Sequence, residues 1–402
     1  MKKKLTIILF LCLSLQLTAA ETDSLSVDSL ATDTLSWTQH FKLQIDSILT
    51  SPLLQTTQLG LMVYDLTADS TLYTYGHRQR LRPASTMKVL TAITALDRLG
   101  GDYQLKTSLY YTGTINNGTL RGNLHCVGGM DPMFARADML AFVNKLRHLG
   151  VDTICGSIFV DLSFKDDDRL GEGWCWDDDN PVLTPLLYDG KDTFVETFTR
   201  ELQRSGVVFT ESTARVPMSS RQHITSRSHG IDEVLLPMMK ESDNLYAEAL
   251  FYQIGAVGAS KSSTAKLAAS QVRHVIQKAG LQPGNYRIAD GSGLSLYNYV
   301  SAELETLLLR YAYHHKGIFE PLYQVMPIAG VDGTLKTRMK KTAAEGNVHA
   351  KTGSVSGISS LAGYCQAPNG HLLAFSIINQ GVSRMSDGRT LQDSICRAMC
   401  DK

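Results

Sequence analysis

The spacing of apolar residues is regular at both ends of this chain and changes character in the middle, and that interruption limits what the chain can fold into. From Leu59 the runs LGLMVYDL and TLYTY alternate in the manner of two neighbouring strands, and Pro83-Ala84-Ser85 opens an apolar helical stretch to Leu99 and Gly100. Residues 103–228 have a different texture. Short strand-like pieces (107–112 and 156–162), an amphipathic helix (137–149), an Asp-rich loop (174–180) and a helix-like stretch (196–206) follow one another there. Helical periodicity returns at 231–254, 264–279 and 302–314. Two alternating runs, 360–366 and 372–379, then predict a hairpin around Pro368-Asn369-Gly370, with a closing helix from about Leu391. The expected class is α/β (α+β). Residues 37–105 and 229–402 form one discontinuous domain, with helices around an antiparallel sheet, and residues 106–228 form a smaller inserted α/β domain.

At 402 residues and 43% hydrophobic positions the chain exceeds one average domain. Lys plus Arg and Asp plus Glu each number 39, so no basic surplus exists to hold nucleic acid or anionic lipid. Lys2, Lys3 and Lys4, an apolar run over 5–17 and then Thr18-Ala19-Ala20 predict a signal peptide (1–20) cut after Ala20, and hence a periplasmic or otherwise exported protein. The run falls short of the ~20 residues that span a bilayer, and Cys12 follows the bulky Leu11, which argues against lipidation. In residues 21–36 the triplets Asp23-Ser24-Leu25, Asp28-Ser29-Leu30 and Asp33-Thr34-Leu35 recur, a polar repeat that predicts a flexible leader. Beyond Cys12 the six remaining cysteines are read as structural or free thiols, with the pairing open. The spacing of Cys396 and Cys400 suits no zinc or redox motif, no HExxH occurs, and neither metal nor cofactor is expected.

Three short motifs carry chemistry: Ser85-Thr86-Met87-Lys88, Ser242-Asp243-Asn244 and Lys351-Thr352-Gly353. A serine hydroxyl must pass its proton to a base as it attacks. Lys88, three residues on, shares a helix face with Ser85 and serves as that base if its pKa is lowered, as burial beside Lys351 would do. The Ser85 amide, at a helix start, helps hold an oxyanion. Ser242 relays a proton to the leaving amine, and Asn244 orients Lys88 and binds the substrate peptide. Lys351 and Thr352 offer a charge and a hydroxyl for a terminal carboxylate, and Gly353 lets substrate lie against a strand edge. Ser263-Thr264-Ala265-Lys266 repeats the first spacing but follows the second motif, and reads as an N-cap with a solvated lysine. Ser242-Asp243-Asn244 occurs once, and of four Lys-Thr pairs only Lys351-Thr352 precedes a glycine.

With these motifs, the sequence resembles the class C low-molecular-mass penicillin-binding proteins, the D-alanyl-D-alanine carboxypeptidase/endopeptidase family. The likeness runs through Gly128-Gly129-Met130-Asp131-Pro132, Gly171-Glu172-Gly173-Trp174 and Asn244-Leu245-Tyr246-Ala247-Glu248. It continues in Asp290-Gly291-Ser292-Gly293-Leu294-Ser295, Ala329-Gly330-Val331-Asp332-Gly333-Thr334-Leu335 and Ser360-Leu361-Ala362-Gly363-Tyr364. The resemblance implies a penicillin-binding, serine β-lactamase-like transpeptidase fold and acylation at Ser85 with Lys88 as base. It puts Ser242 and Asn244 on a second wall and gives the D-Ala carboxylate to Lys351 and Thr352. It places the oxyanion between the amides of Ser85 and Ser354, and a substrate side chain at Asp161. Peptidoglycan stem peptides are the implied substrate and β-lactams the implied covalent inhibitors. The chain departs from the pattern in the short stretch between Ser85 and Ser242, which implies that a second nested domain is absent. Two rivals share the motifs: a β-lactamase, and a non-catalytic sensor of wall peptides or penicillin.

Overall fold

A computed structural model of the protein describes residues 36–177, 180–210 and 220–402. The expected signal peptide and, save Ser36, the leader lie outside the described residues, as do Asp178 and Asp179 of the acidic loop. Trp37–Lys402 pack as one compact unit.

In α1 (Trp37–Ile48) the residues Phe41 and Ile45, one turn apart, are buried. Next come β1 (Gln58–Asp65) and β2 (Ser70–Tyr75). Every β1 residue after Gln58 is buried, because both faces of this central strand are covered. A 3-10 turn at Ala84–Thr86 leads into α2 (Met87–Leu99), which stops at Gly100 with φ +82°.

The middle of the chain holds β3 (Gln104–Tyr111), β4 (Thr114–Asn116), β5 (Thr119–Arg121), β6 (Leu124–Val127), α3 (Arg136–His148), β7 (Thr153–Cys155), β8 (Ile158–Asp161), α4 (Phe194–Arg204), β9 (Val208–Thr210) and β10 (Gln222–Gly230). These strands make two four-stranded sheets, ordered β10-β3-β6-β8 and β4-β5-β7-β9. The segment has its own core, in which Phe134, Phe142, Phe194 and Phe198 pack mainly edge-on or tilted.

Then come α5 (Ile231–Lys240), α6 (Asn244–Ala256), α7 (Ala265–Lys278), α8 (Ala302–Tyr313), α9 (Lys316–Val325), β11 (His349–Val355), β12 (Ile358–Gln366), β13 (Leu372–Gln380) and α10 (Met385–Cys400). The single helical run expected over 231–254 is two helices. The chain breaks at Ser242, with φ +64°, and Asp243 caps α6 by accepting the Tyr246 N–H. At the decoy motif Thr264, not Ser263, caps α7, while Ser263 is buried and donates to the Tyr252 carbonyl; Lys266 is solvated as expected. The last helix starts earlier than Leu391.

β11, β12, β13, β1 and β2, in that order, form one antiparallel sheet. Its alternate residues feed two cores. Ala362, Tyr364, Ala374, Ile378 and Met62 face the helical core containing α2, α6 and α8, whereas Leu361, Phe375, Ile377, Leu61 and Val63 face α1 and α10. β11 is an edge. Pro327 and Ile328 cover its upstream half, where the Ala350 N–H donates to the Pro327 carbonyl at 2.9 Å and Ile328 bridges His349. From Thr352 to Ser354 no described backbone group pairs with the outer side. The six described cysteines are free thiols, four of them buried. No described helix is long and apolar enough to cross a membrane.

Candidate active site

The nucleophile candidate sits on a strained turn. Ala84 has φ +50°, a left-handed conformation that non-glycine residues rarely adopt, and Gly293 lies so close that a Cβ there would stand 1.8 Å from the Ala84 carbonyl oxygen. The helix proper begins at Met87, so Ser85 occupies the 3-10 turn before it rather than the first α-helical turn. Below this turn lies Glu305, fully buried, which accepts from the Thr86 and Ser376 hydroxyls at 2.6 Å each; burial pushes its carboxyl up to about 7.

Lys88 is fully buried, and its Nζ donates to Ser85 Oγ (3.1 Å), Asn244 Oδ1 (2.7 Å) and the Ser292 carbonyl (2.8 Å). Three acceptors fix the amine against the hydroxyl. Burial lowers its pKa to about 8, while the charges of Asp290, Glu248 and Asp243 work in the opposite direction. Burial is therefore the main cause, as the sequence suggested. Lys351 is itself held well below the usual lysine range by burial and by the nearby Lys88 charge. Glu248 is buried behind the same wall, with its pKa raised by burial to about 8, and accepts the Gly291 and Ser292 N–H groups. Asp290 shapes this loop by accepting from the Trp174 indole and from the Gly293 and Ser295 amides.

Opposite stands Ser242, whose left-handed φ places it at the corner between α5 and α6. Its Oγ accepts from Lys351 Nζ at 2.8 Å, and the same ammonium reaches the Thr352 carbonyl at 2.8 Å. On β11, Thr352 Oγ1 donates to Thr334 Oγ1 at 2.8 Å. Gly353 differs from its expected role. A Cβ there would meet Ser360 Oγ at 2.1 Å, the Pro83 carbonyl at 2.6 Å and the Ser85 amide at 3.0 Å, so the glycine lets β11 press against the Ser85 turn.

Ser85, Ser242, Thr352 and Ser354 line one cavity of about 340 Å³, with Thr334, Arg338 and Arg389 among the other walls. Asp161 is not part of this lining. It lies at the end of β8, where Arg221 (2.7 Å) and Ser163 engage its carboxylate and hold its pKa down. Sequence reasoning named neither Ser292, Glu248, Asp290, Glu305 nor the two arginines as site residues. Glu248 carried a readable signal, an acid in an otherwise apolar helix one turn from Asn244. Ser292 acts through a main-chain carbonyl, which no side-chain pattern encodes. Among the described residues no group of three or more His, Cys, Asp or Glu could hold a metal ion.

The sequence model of the D-Ala-D-Ala carboxypeptidase 3 (S13) family matches residues 41–186 and 186–400. The chain belongs to this family of serine peptidases. Among S13-like relatives, it is 28% identical over 441 residues to a D-alanyl-D-alanine carboxypeptidase of Actinomadura sp. (strain R39), covering 84% of this chain and 80% of that one. It is 26% identical over 425 residues to the D-alanyl-D-alanine carboxypeptidase DacB of Haemophilus influenzae, covering 84% and 88%. The fold matches the crystal structure of penicillin binding protein 4 from H. influenzae with a TM-score of 0.78 at 22% identity, over 88% of this chain and 97% of that chain. A predatory endopeptidase from Bdellovibrio bacteriovorus matches with a TM-score of 0.56 at 17% identity, over 85% and 94%. The mixed α/β fold expected from the sequence is thus the fold of penicillin-binding proteins.

Proposed function

We propose that this S13 member acts as a serine-type D-Ala-D-Ala carboxypeptidase and DD-endopeptidase on peptidoglycan stem peptides, through an acyl-enzyme on Ser85. The observation that carries the reading is the buried Lys88 amine, held 3.1 Å from Ser85 Oγ by Asn244 and the Ser292 carbonyl. With a pKa near 8, a useful fraction of Lys88 is neutral at ordinary pH. Ser85 Oγ attacks the carbonyl of the penultimate D-Ala, and its proton passes to Lys88. The amides of Ser85 and Ser354 hold the oxyanion, and the Ser242–Lys351 pair returns a proton to the leaving amine. Water then cleaves the ester and regenerates the hydroxyl. Asn244 binds the peptide, Thr352 receives the leaving group's carboxylate, and Lys351 acts through Ser242.

The same reading takes β-lactams as acylating inhibitors. Asp161, which does not line this cavity, belongs to a site for the substrate side chain. The chain is exported after cleavage at Ala20. Residues 106–228 are assigned as the inserted domain of a discontinuous 37–105 and 229–402 fold, without a second nested domain.

Purified cross-linked cell wall provides the test. Release of D-alanine together with monomeric muropeptides supports the dual activity, whereas an intact wall and no penicillin adduct on Ser85 by mass spectrometry oppose it and favour a sensor. A β-lactam hydrolysed faster than a D-Ala-D-Ala peptide is cleaved favours the β-lactamase rival.

A further inference from the structure

We propose that Arg389 is a specificity residue that supplies the positive charge met by the terminal carboxylate of the substrate, an inference that rests on the peptidase reading above. The motif lysine is badly placed for that task. Lys351 is fully buried, its Nζ is committed to Ser242 Oγ and the Thr352 carbonyl, and it does not line the cavity that Ser85 opens into. Thr352 and Ser354 line the cavity themselves, whereas the Lys351 amine stands behind Ser242, 2.8 Å from its Oγ.

Two arginines are among its lining residues, Arg338 and Arg389. Arg338 is already neutralised: it donates through Nε and Nη2 to Asp393 at 2.9 and 2.6 Å, and through Nη2 to Gln392 and to the carbonyl of Arg389. Arg389 sits early in α10 and is exposed. Among the described residues no carboxylate lies within ion-pair distance of it and no hydrogen bond is made by its side chain. Arg338, by donating to the Arg389 carbonyl and to Asp393, holds the backbone of α10 that carries Arg389 beside the cavity. A planar guanidinium that is always charged pairs with a carboxylate through two parallel hydrogen bonds. The leaving residue carries such a carboxylate whether it is a free D-Ala or the D-centre of a cross-link.

The test compares one N-acylated D-Ala-D-Ala peptide as the free acid and as the C-terminal amide, in full-length wild type, Arg389→Gln and Arg389→Lys. Wild type favours the acid. In Arg389→Gln the acid-over-amide preference in kcat/KM falls about tenfold, the lower end for a charged hydrogen bond because the group is solvated, with the loss in KM; Arg389→Lys keeps part of it. A purely structural role lowers both substrates in parallel and leaves the ratio where it was, which overturns the proposal. In the unsubstituted enzyme the acid preference weakens as salt rises, and a salt-independent preference also overturns it. A wild type that cleaves neither peptide and takes up no penicillin sinks the peptidase reading itself, whereas active wild type with an unmoved ratio in Arg389→Gln removes only the role of Arg389.

Discussion

The surroundings of Ser85 and the middle segment from β3 to β10 are built to opposite rules. Around Ser85 the chain buries Lys88, Lys351, Glu248, Glu305 and Asp290, and holds Ala84 and Ser242 in left-handed conformations. In the middle segment the core is aliphatic and phenylalanine, and apart from the Asp131–Asp138–His229 group at its junction with α5 and the buried Lys165 paired with Asp166 most ion pairs lie at the surface. Most of the buried charge thus lies where a hydroxyl has to be activated, whereas left-handed residues also occur in the middle segment, at Asn117, Met130 and Asp189.

Substitutions at each place should therefore fail in different ways. The largest effect expected is at Ser85→Ala: penicillin acylation and peptide cleavage fall by more than about a thousandfold while the melting profile stays cooperative, as intact mass and calorimetry would record. Cleavage retained by that variant would break the contrast at its root. Phe198→Ala in the middle segment should cost about 3–5 kcal/mol in urea unfolding, with the acylation rate of the folded protein within about twofold of wild type. Ser242→Ala, which takes the hydroxyl partner from Lys351, should slow turnover about a hundredfold, and a smaller stability loss than for Phe198→Ala keeps the two regions distinct.

The pH profile sharpens the same point. Because Lys88 must be neutral to accept a proton, acylation should rise about tenfold per pH unit below about 8 and level off above it; a flat profile from pH 6 to 8 would remove Lys88 as the base. Linkage has a definite sign here. The unfolded chain binds more protons at this lysine between about 8 and 10.5, so the contribution of Lys88 to stability increases as pH rises through that window. The smallest effect belongs to Arg204→Gln, which breaks the exposed pair with Glu201 and should shift stability by less than about 0.5 kcal/mol in the same urea assay.

The catalytic motifs were legible because each is short and its spacing is local, and the long helices because one buried face repeats every turn. The break at Ser242 was not, although five polar residues from Lys240 to Asn244 interrupt the apolar period there, because the period resumes in phase at Leu245. β10 reads QHITSRSHG, a polar strand with no alternation to find, and α9 contains Pro321, which disguises it. The third acceptor of Lys88 is a carbonyl, and Arg389 joins the cavity that Thr352 and Ser354 line only once α10 packs on β12. That the Lys351 amine engages Ser242 and the Thr352 carbonyl was not legible, because sequence does not tell which way a buried amine points.

The half-covered edge of β11 acts on substrates before any chemistry does. Pro327 and Ile328 occupy the rungs at His349 and Ala350, so among the described residues the outer side of β11 is open to another backbone beside Ser354 and beside Thr352, whose carbonyl also accepts from Lys351 Nζ. A ladder blocked above and open below sets the register of what docks there, bringing a chain terminus, or a branch narrow enough to imitate one, to rest against the Ser85 turn that Gly353 allows to come so near.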